Sequence, residues 1–242
     1  MGAKDVLDDT WVYDVAKNRW FRLSTSSAPS ARYRSAITYD PAARKVIMFG
    51  GRYSRPGYQQ DYSDTWALDV DGQTWTELHP AGDPPDVSAG TAVLVPDRQS
   101  TSILLLAGIP PLPPIPPAIP KDELLTLWSA WSYEPKNDVW TSLGTETGSP
   151  TISQYYCAAY DSALEQTMVF GGLNLQNGSI GDMWVHEGRG WESPAFGGAG
   201  TPQPHIDAGM VFDLDTKRVI LFGRSADGTS ADVPAQTWAY TP

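Results

Sequence analysis

The sequence predicts an all-β repeat fold on three observations. Tryptophans recur in pairs, Trp11 with Trp20, Trp66 with Trp75, Trp131 with Trp140 and Trp184 with Trp191, and Trp238 stands alone near the end. The first members step along the chain by 55, 65, 53 and 54 residues, a long-period self-similarity that marks repeat architectures. Ahead of each later peg an apolar run ends on glycine: Val46-Ile47-Met48-Phe49-Gly50-Gly51, Leu105-Leu106-Ala107-Gly108, Val169-Phe170-Gly171-Gly172 and Leu221-Phe222-Gly223. The third observation is turn content, since 22 glycines and 21 prolines in 242 residues supply the breaks that many short strands require.

Residues 1 to 8 read as a loop. Thr10 to Val15 and Arg19 to Leu23 are two outer strands that turn through Ala16-Lys17-Asn18, and Ser24 to Arg34 crosses to the next unit. Ser35 to Tyr39 and Lys45 to Gly50 form an inner hairpin around Asp40-Pro41-Ala42-Ala43, residues that favour turns. The strands of Trp66 and Trp75 complete a set of four. The same grammar returns with inner hairpins at Thr91 to Val95 with Ile103 to Ala107, Tyr155 to Tyr160 with Thr167 to Phe170, and Met210 to Phe212 with Arg218 to Phe222.

Four short antiparallel strands in about fifty residues are the signature of a β-propeller blade. The chain supplies two outer strands, three sets of four, and a final set of three, which closes neither a four-bladed nor a five-bladed ring. Thr237-Trp238-Ala239-Tyr240 copies Thr10-Trp11-Val12-Tyr13, so both ends want the same slot. The expectation is an open array of four to five blades, part of a longer propeller or of a larger assembly. All ten tryptophans are expected in the core, filling the wedge that widens away from the axis.

The apolar strand closed by a double glycine, followed by two spaced aromatics, resembles the kelch repeat, and the resemblance covers nearly the whole chain. Ala107 in place of the first glycine and Gly223-Arg224 in place of the pair depart from it. It implies one kelch-type propeller domain over residues 1 to 242, in a family whose rings usually have six or seven blades. Some kelch-like propellers are enzymes. Galactose oxidase needs a copper set of tyrosines and histidines, and the iron-dependent specifier proteins of plants need closely spaced Glu, Asp and His; neither pattern occurs in this sequence.

With 28 acidic against 17 basic residues the formal charge is −11, which repels phosphate backbones and anionic lipid, so neither nucleic acid nor a membrane surface is an expected partner. No apolar run reaches the roughly 20 residues that cross a bilayer, and residues 1 to 15 lack a signal-peptide pattern. The single cysteine, Cys157, reads as a buried strand thiol and points to a reducing, cytoplasmic setting. Asn177-Gly178-Ser179 fits the glycosylation triplet, but it also suits a turn.

For chemistry the sequence offers little. His79, His186 and His205 belong to different repeats with no nucleophile signature beside them. Asp182 and His186, four apart in a strand, share a face but lack a third ligand, so no metal or other cofactor is expected. Asp71-Gly72-Gln73-Thr74-Trp75 looks like most of the Asp-box turn of sialidase-type propellers, and it occurs once.

The long loops, among them Arg52 to Ser63, should emerge on one face, where binding groups usually sit. Arg32, Tyr33, Arg52, Tyr53, Arg55 and Tyr58 should cluster there, and Arg and Tyr are residues that anchor protein interfaces. The insertion from 109 to 120 should be polyproline II, and its Pro110-Pro111-Leu112-Pro113 matches a WW-domain ligand type, with a stiff loop packed on its own propeller as the plainer reading. The expected function is a non-catalytic protein-interaction scaffold. A propeller enzyme or lectin-like module acting on carbohydrate or a small molecule is the alternative.

Overall fold

The computed structural model describes residues 6–240, apart from 83, 85–86, 88–89, 98–100, 108–128, 145–149, 151–153, 175–177, 188–189, 195–200, 204–207 and 225–234. The expected polyproline segment 109–120 therefore lies outside the described residues.

The strands follow the predicted order, and no helix occurs among the described residues. A leading hairpin, β1 (Trp11–Asp14) and β2 (Arg19–Arg22), precedes a four-stranded blade 1 of β3 (Ala36–Asp40), β4 (Lys45–Arg55), β5 (Tyr58–Asp69) and β6 (Thr74–Leu78). Blade 2 is β7 (Ala92–Asp97), β8 (Ser102–Ala107), β9 (Ser129–Glu134) and β10 (Val139–Gly144). Blade 3 is β11 (Cys157–Asp161), β12 (Gln166–Phe170), β15 (Met183–His186) and β16 (Trp191–Glu192), with a short side hairpin, β13 (Leu173–Asn174) and β14 (Gly178–Ser179). Blade 4 has three strands, β17 (Gly209–Asp213), β18 (Arg218–Gly223) and β19 (Gln236–Tyr240). Every pairing between the named strands is antiparallel, as in an up-and-down propeller sheet.

Period-two alternation decides which seam each side chain enters. Phe49 and Ile47 of β4 pack forward against Leu105, Tyr133 and Trp140 of blade 2. Met48, between them, packs backward with Leu68 and Trp75 against Val12 and Leu23 of the leading hairpin and its exit. Blade 3 repeats the rule: Val169 turns back toward Leu106, while Met168 and Phe170 turn forward to Val219 and Leu221 of blade 4. Cys157 lies in that last seam, its burial pushing the thiol up to about 12, which makes it the inert strand thiol read from the sequence.

The inner strands β3, β7, β11 and β17 pack in succession, and among the described residues no contact of comparable extent joins blade 4 to the leading hairpin. Beside β19, where a fourth strand would run, Val185, Glu187, Glu192, Pro194 and Tyr240 line an open recess of about 480 Å3.

One turn closes most hairpins. An aspartate ends the first strand, its Oδ1 accepts a backbone N–H two or three residues on, and the fourth residue after it is left-handed, as in Asp14 with Asn18, Asp40 with Arg44, Asp69 with Gln73, Asp161 with Glu165 and Asp213 with Lys217, all at φ between 49° and 59°. The Asp-box resemblance dissolves into this shared turn, because Asp69 caps Gly72 and the Asp71 carboxylate lies outside it, 3.1 Å from Arg44.

Of the nine described tryptophans, Trp75, Trp140 and Trp191 are buried, Trp66, Trp131, Trp184 and Trp238 are half-buried against the seams, and Trp11 and Trp20 stand exposed on the face of the leading hairpin turned away from blade 1. Trp128 lies outside the described residues.

Candidate functional site

The double glycine builds the base of the site. Gly50 and Gly51 sit at φ of 65° and 105°, and a Cβ on Gly51 would collide with Ser35 Oγ and come within 3.2 Å of Tyr33 O. Through this kink, marked by a register shift between Phe49 and Gly51, β4 leaves the blade and continues pairing with β5 beyond it. The stretch Arg52 to Ser63, expected as a loop, is therefore mostly ladder. Gly51 faces Tyr62, Arg52 faces Asp61, Tyr53 faces Gln60, Ser54 faces Gln59 and Arg55 faces Tyr58 around a Pro56-Gly57 turn. It is held because Asp61 meets Arg52 through two hydrogen bonds of 2.5 and 2.8 Å, directly across the ribbon. That pairing raises the Arg52 pKa still further, so its charge is fixed at every ordinary pH.

Pairing splits five of the six candidate residues between two sides of the ribbon. Tyr33 exchanges two backbone hydrogen bonds of 2.9 Å with Arg52, and its hydroxyl lies 3.0 Å from Ser54 Oγ. Tyr33, Arg52, Ser54 and Asp61 share one side. Tyr53, Arg55 and Tyr58 occupy the other, with the tyrosine rings 6.1 Å apart and the Arg55 guanidinium 5.5 Å from the Tyr58 ring.

Arg32 is a structural residue. Its side chain is 6% exposed, it grips Asp64 bidentately at 2.5 and 2.9 Å, it donates to Gly50 O and Ser30 O, and its guanidinium stacks 4.0 Å from the Tyr62 ring. A group so fully engaged supports the ribbon's root and offers little to a partner.

Sequence reasoning missed the residues at the axial mouth. Arg34, Gly90 and Tyr155 hold the same place, just ahead of the inner strand of blades 1, 2 and 3, and all three have positive φ. Tyr155 N donates to Gly90 O at 2.7 Å, and the Arg34 guanidinium lies 4.3 Å from the Tyr155 ring while donating to its hydroxyl at 3.1 Å. Any Cβ on Gly90 would strike that ring at 2.7 Å, so the glycine makes room for it. Aligning the repeats on their inner strands would have found this trio. Among the described residues no group of three or more His, Cys, Asp or Glu is placed to hold a metal ion.

No protein-family model matches the chain. Among curated proteins it is similar to multiple epidermal growth factor-like domains protein 8 of Mus musculus, 25% identical over 240 residues, and to the Homo sapiens protein of that name, 24% identical over 176 residues. These alignments cover 94% and 70% of this chain but 8% and 6% of theirs, so the chain spans under a tenth of the length of the curated relatives it matches. Among solved structures it is similar to that of YjhT, a propeller, with a TM-score of 0.63 at 12% identity over 95% of this chain and 73% of the other. A likeness of that extent at that identity shows the fold: the chain is an all-β propeller of four blades.

Proposed function

We propose that this chain is a kelch-type propeller module acting as a non-catalytic scaffold, with the side of the β4–β5 ribbon that carries Tyr53, Arg55 and Tyr58 as the surface that takes a protein partner. The observation that carries this reading is the ribbon itself. A ladder-stiffened, ion-paired projection presents Tyr53, Arg55 and Tyr58 together at low entropic cost, and preordered aromatic and arginine side chains are what interface hot spots are made of. Likeness to a short stretch of a far longer protein, one whose name refers to multiple epidermal growth factor-like domains, fits a module of this kind. On this reading the partner is a cytoplasmic protein and no cofactor takes part.

The test is capture with the triple variant Tyr53→Ser, Arg55→Ser, Tyr58→Ser. Arg44→Ser with Asp71→Ser, exposed on the tight-turn side of the blade, serves as control. A protein retained by the parent and by the control but lost from the triple variant, with melting temperature unchanged, is the expected result. Equal capture by all three removes the ribbon from the interface.

A further inference from the structure

The ribbon carries a strand edge that the described residues leave open. β6 accompanies β5 only from Thr65 to Asp69, so the stretch from Tyr58 to Tyr62 pairs with β4 alone. In an antiparallel pair, successive residues point both main-chain groups toward the partner strand and then both away from it. Arg52 fixes the phase, because its N–H and C=O both go to Tyr33 at 2.9 Å, away from β5. Asp61, directly opposite Arg52, therefore points its own N–H and C=O away from β4 on the far edge. Gln59, opposite Ser54, does the same two residues earlier. Among the described residues nothing hydrogen-bonds to these four groups.

Such an edge is commonly blunted by lysine, proline or a bulge. Tyr58 to Tyr62 contains none of these, and its one charge, on Asp61, is taken up by Arg52. The opposite edge shows what the ribbon accepts: there Tyr33, on the crossing from the leading hairpin, adds a single antiparallel bridge to Arg52. Gln59 and Asp61 repeat that donor-and-acceptor pair at a two-residue spacing, which a further extended backbone about 4.8 Å away would match.

Side chains narrow the choice. Tyr53, Arg55, Tyr58 and Gln60 lie on one side of the ribbon, and among the described residues Arg55 has no carboxylate partner. In a strand running antiparallel beside β5, a residue opposite Gln60 and the residue two places later, opposite Tyr58, project onto that same side. The first lies against the Tyr58 ring. The second comes within reach of the Arg55 guanidinium, which is 5.5 Å from that ring.

We propose that the partner engages the ribbon as an extended segment of polypeptide, added antiparallel to β5 at Gln59 and Asp61, with an apolar residue opposite Gln60 and an acidic residue two places later that pairs with Arg55. Strand addition rests on the reading of the ribbon as the docking surface and specifies what docks there.

The probe is a phage-displayed library of random short peptides selected on the intact chain, with affinities of synthetic copies read by fluorescence anisotropy. Selected peptides should share an apolar residue followed two places later by Asp or Glu. Gln59→Pro removes one N–H that faces away from β4, a placement proline tolerates in an edge strand, and should weaken binding at least about tenfold. Gln59→Thr keeps the N–H and should bind as the parent does. Melting temperatures of all three should agree, Gln59 being exposed.

Methylating alternate amides of a selected peptide gives an arm that leaves the protein unchanged, and it decides the matter should Gln59→Pro disturb the ribbon. Methyl groups in one phase should abolish binding and those in the other should spare it, since only alternate N–H groups face β5. Peptides that bind the parent and Gln59→Pro alike, or respond equally to both methylation phases, overturn strand addition. If those peptides are still lost from the Tyr53→Ser, Arg55→Ser, Tyr58→Ser variant, the ribbon remains the docking surface through its side chains. Peptides indifferent to that variant too remove both readings, and a library from which the parent selects nothing overturns strand addition alone.

Discussion

Trp140 and Thr65 are 75 residues apart in sequence and belong to different blades, yet the indole N–H of one donates to the hydroxyl of the other at 3.2 Å inside the first complete seam. Trp140→Ala should lower stability by about 3 to 5 kcal/mol, the range for deleting a buried large aromatic. Thr65→Val keeps the volume and strands the buried N–H, at a cost of about 1 to 3 kcal/mol. Arg55→Ala, at the exposed ribbon tip, should fall within about 0.5 kcal/mol of the parent. Denaturant melts of the three variants check the order, and equal effects at Trp140 and Arg55 would remove the seam from the account.

Two ribbon glycines separate steric need from backbone preference. Gly57 has φ of 77° with open space around a would-be Cβ, whereas Gly51 has φ of 105° and a collision waiting at Ser35. Gly57→Ala should cost about 1 kcal/mol, from the left-handed backbone alone. Gly51→Ala should cost more, on the order of 2 to 3 kcal/mol, and should also loosen the ribbon, visible as faster amide exchange at Arg52 and Tyr53.

The ion pair of Arg32 with Asp64 gives a third test. Asp64→Ala leaves a nearly enclosed guanidinium without its carboxylate and should destabilise by about 3 kcal/mol, the low end for a broken buried pair since Asp64 itself is partly exposed. Adding Arg32→Met should recover part of that loss. A double variant worse than the single one would show that the guanidinium is satisfied without Asp64.

Acid provides a fourth. The Asp213 carboxylate accepts hydrogen bonds from Thr216 Oγ1 at 2.6 Å and from Asp215 N at 3.0 Å, and the Thr216 bond above all holds its pKa below the ordinary carboxylate value. A depressed folded-state pKa means the contribution is complete above the unfolded value and disappears as pH falls through the folded one. The stability difference between the parent and Asp213→Ala should therefore be flat from pH 7 to about 5 and should shrink below about 3.8, the range over which an aspartate titrates. A difference that grows on acidification would contradict the turn's hydrogen bonding.

Much of the fold was legible because its signals are local. The pegs at Trp66 and Trp131 and the runs ending at Gly51 and Gly172 depend on spacing alone, and the predicted inner hairpins match β3–β4, β7–β8, β11–β12 and β17–β18 closely. The ribbon was not legible, since Pro56-Gly57 and the polar run around it look like loop chemistry, and its ladder depends on Arg52 finding Asp61 across the turn. Arg32 looked like a surface anchor because its enclosing partner, Asp64, lies 32 residues away. The exposure of Trp20 is invisible locally for another reason: Trp20 and Trp75 occupy like positions in like hairpins, and they differ in that Trp75 packs against the leading hairpin.

Because each seam joins only adjacent blades, the molecule behaves energetically as a short linear chain of coupled units rather than as one indivisible core. Blades 1, 2 and 3 are held from both sides, while the leading hairpin and blade 4 are each held from one. Opening should begin at the two termini and run inward, so amides of β1 and β19 exchange by inexpensive local fraying, and those of β8 and β12 only when the centre itself gives way. Such a profile also fixes how damage spreads. A defect in blade 4 stays at its end, whereas one at Leu105 or Leu106 severs the array into two weak halves.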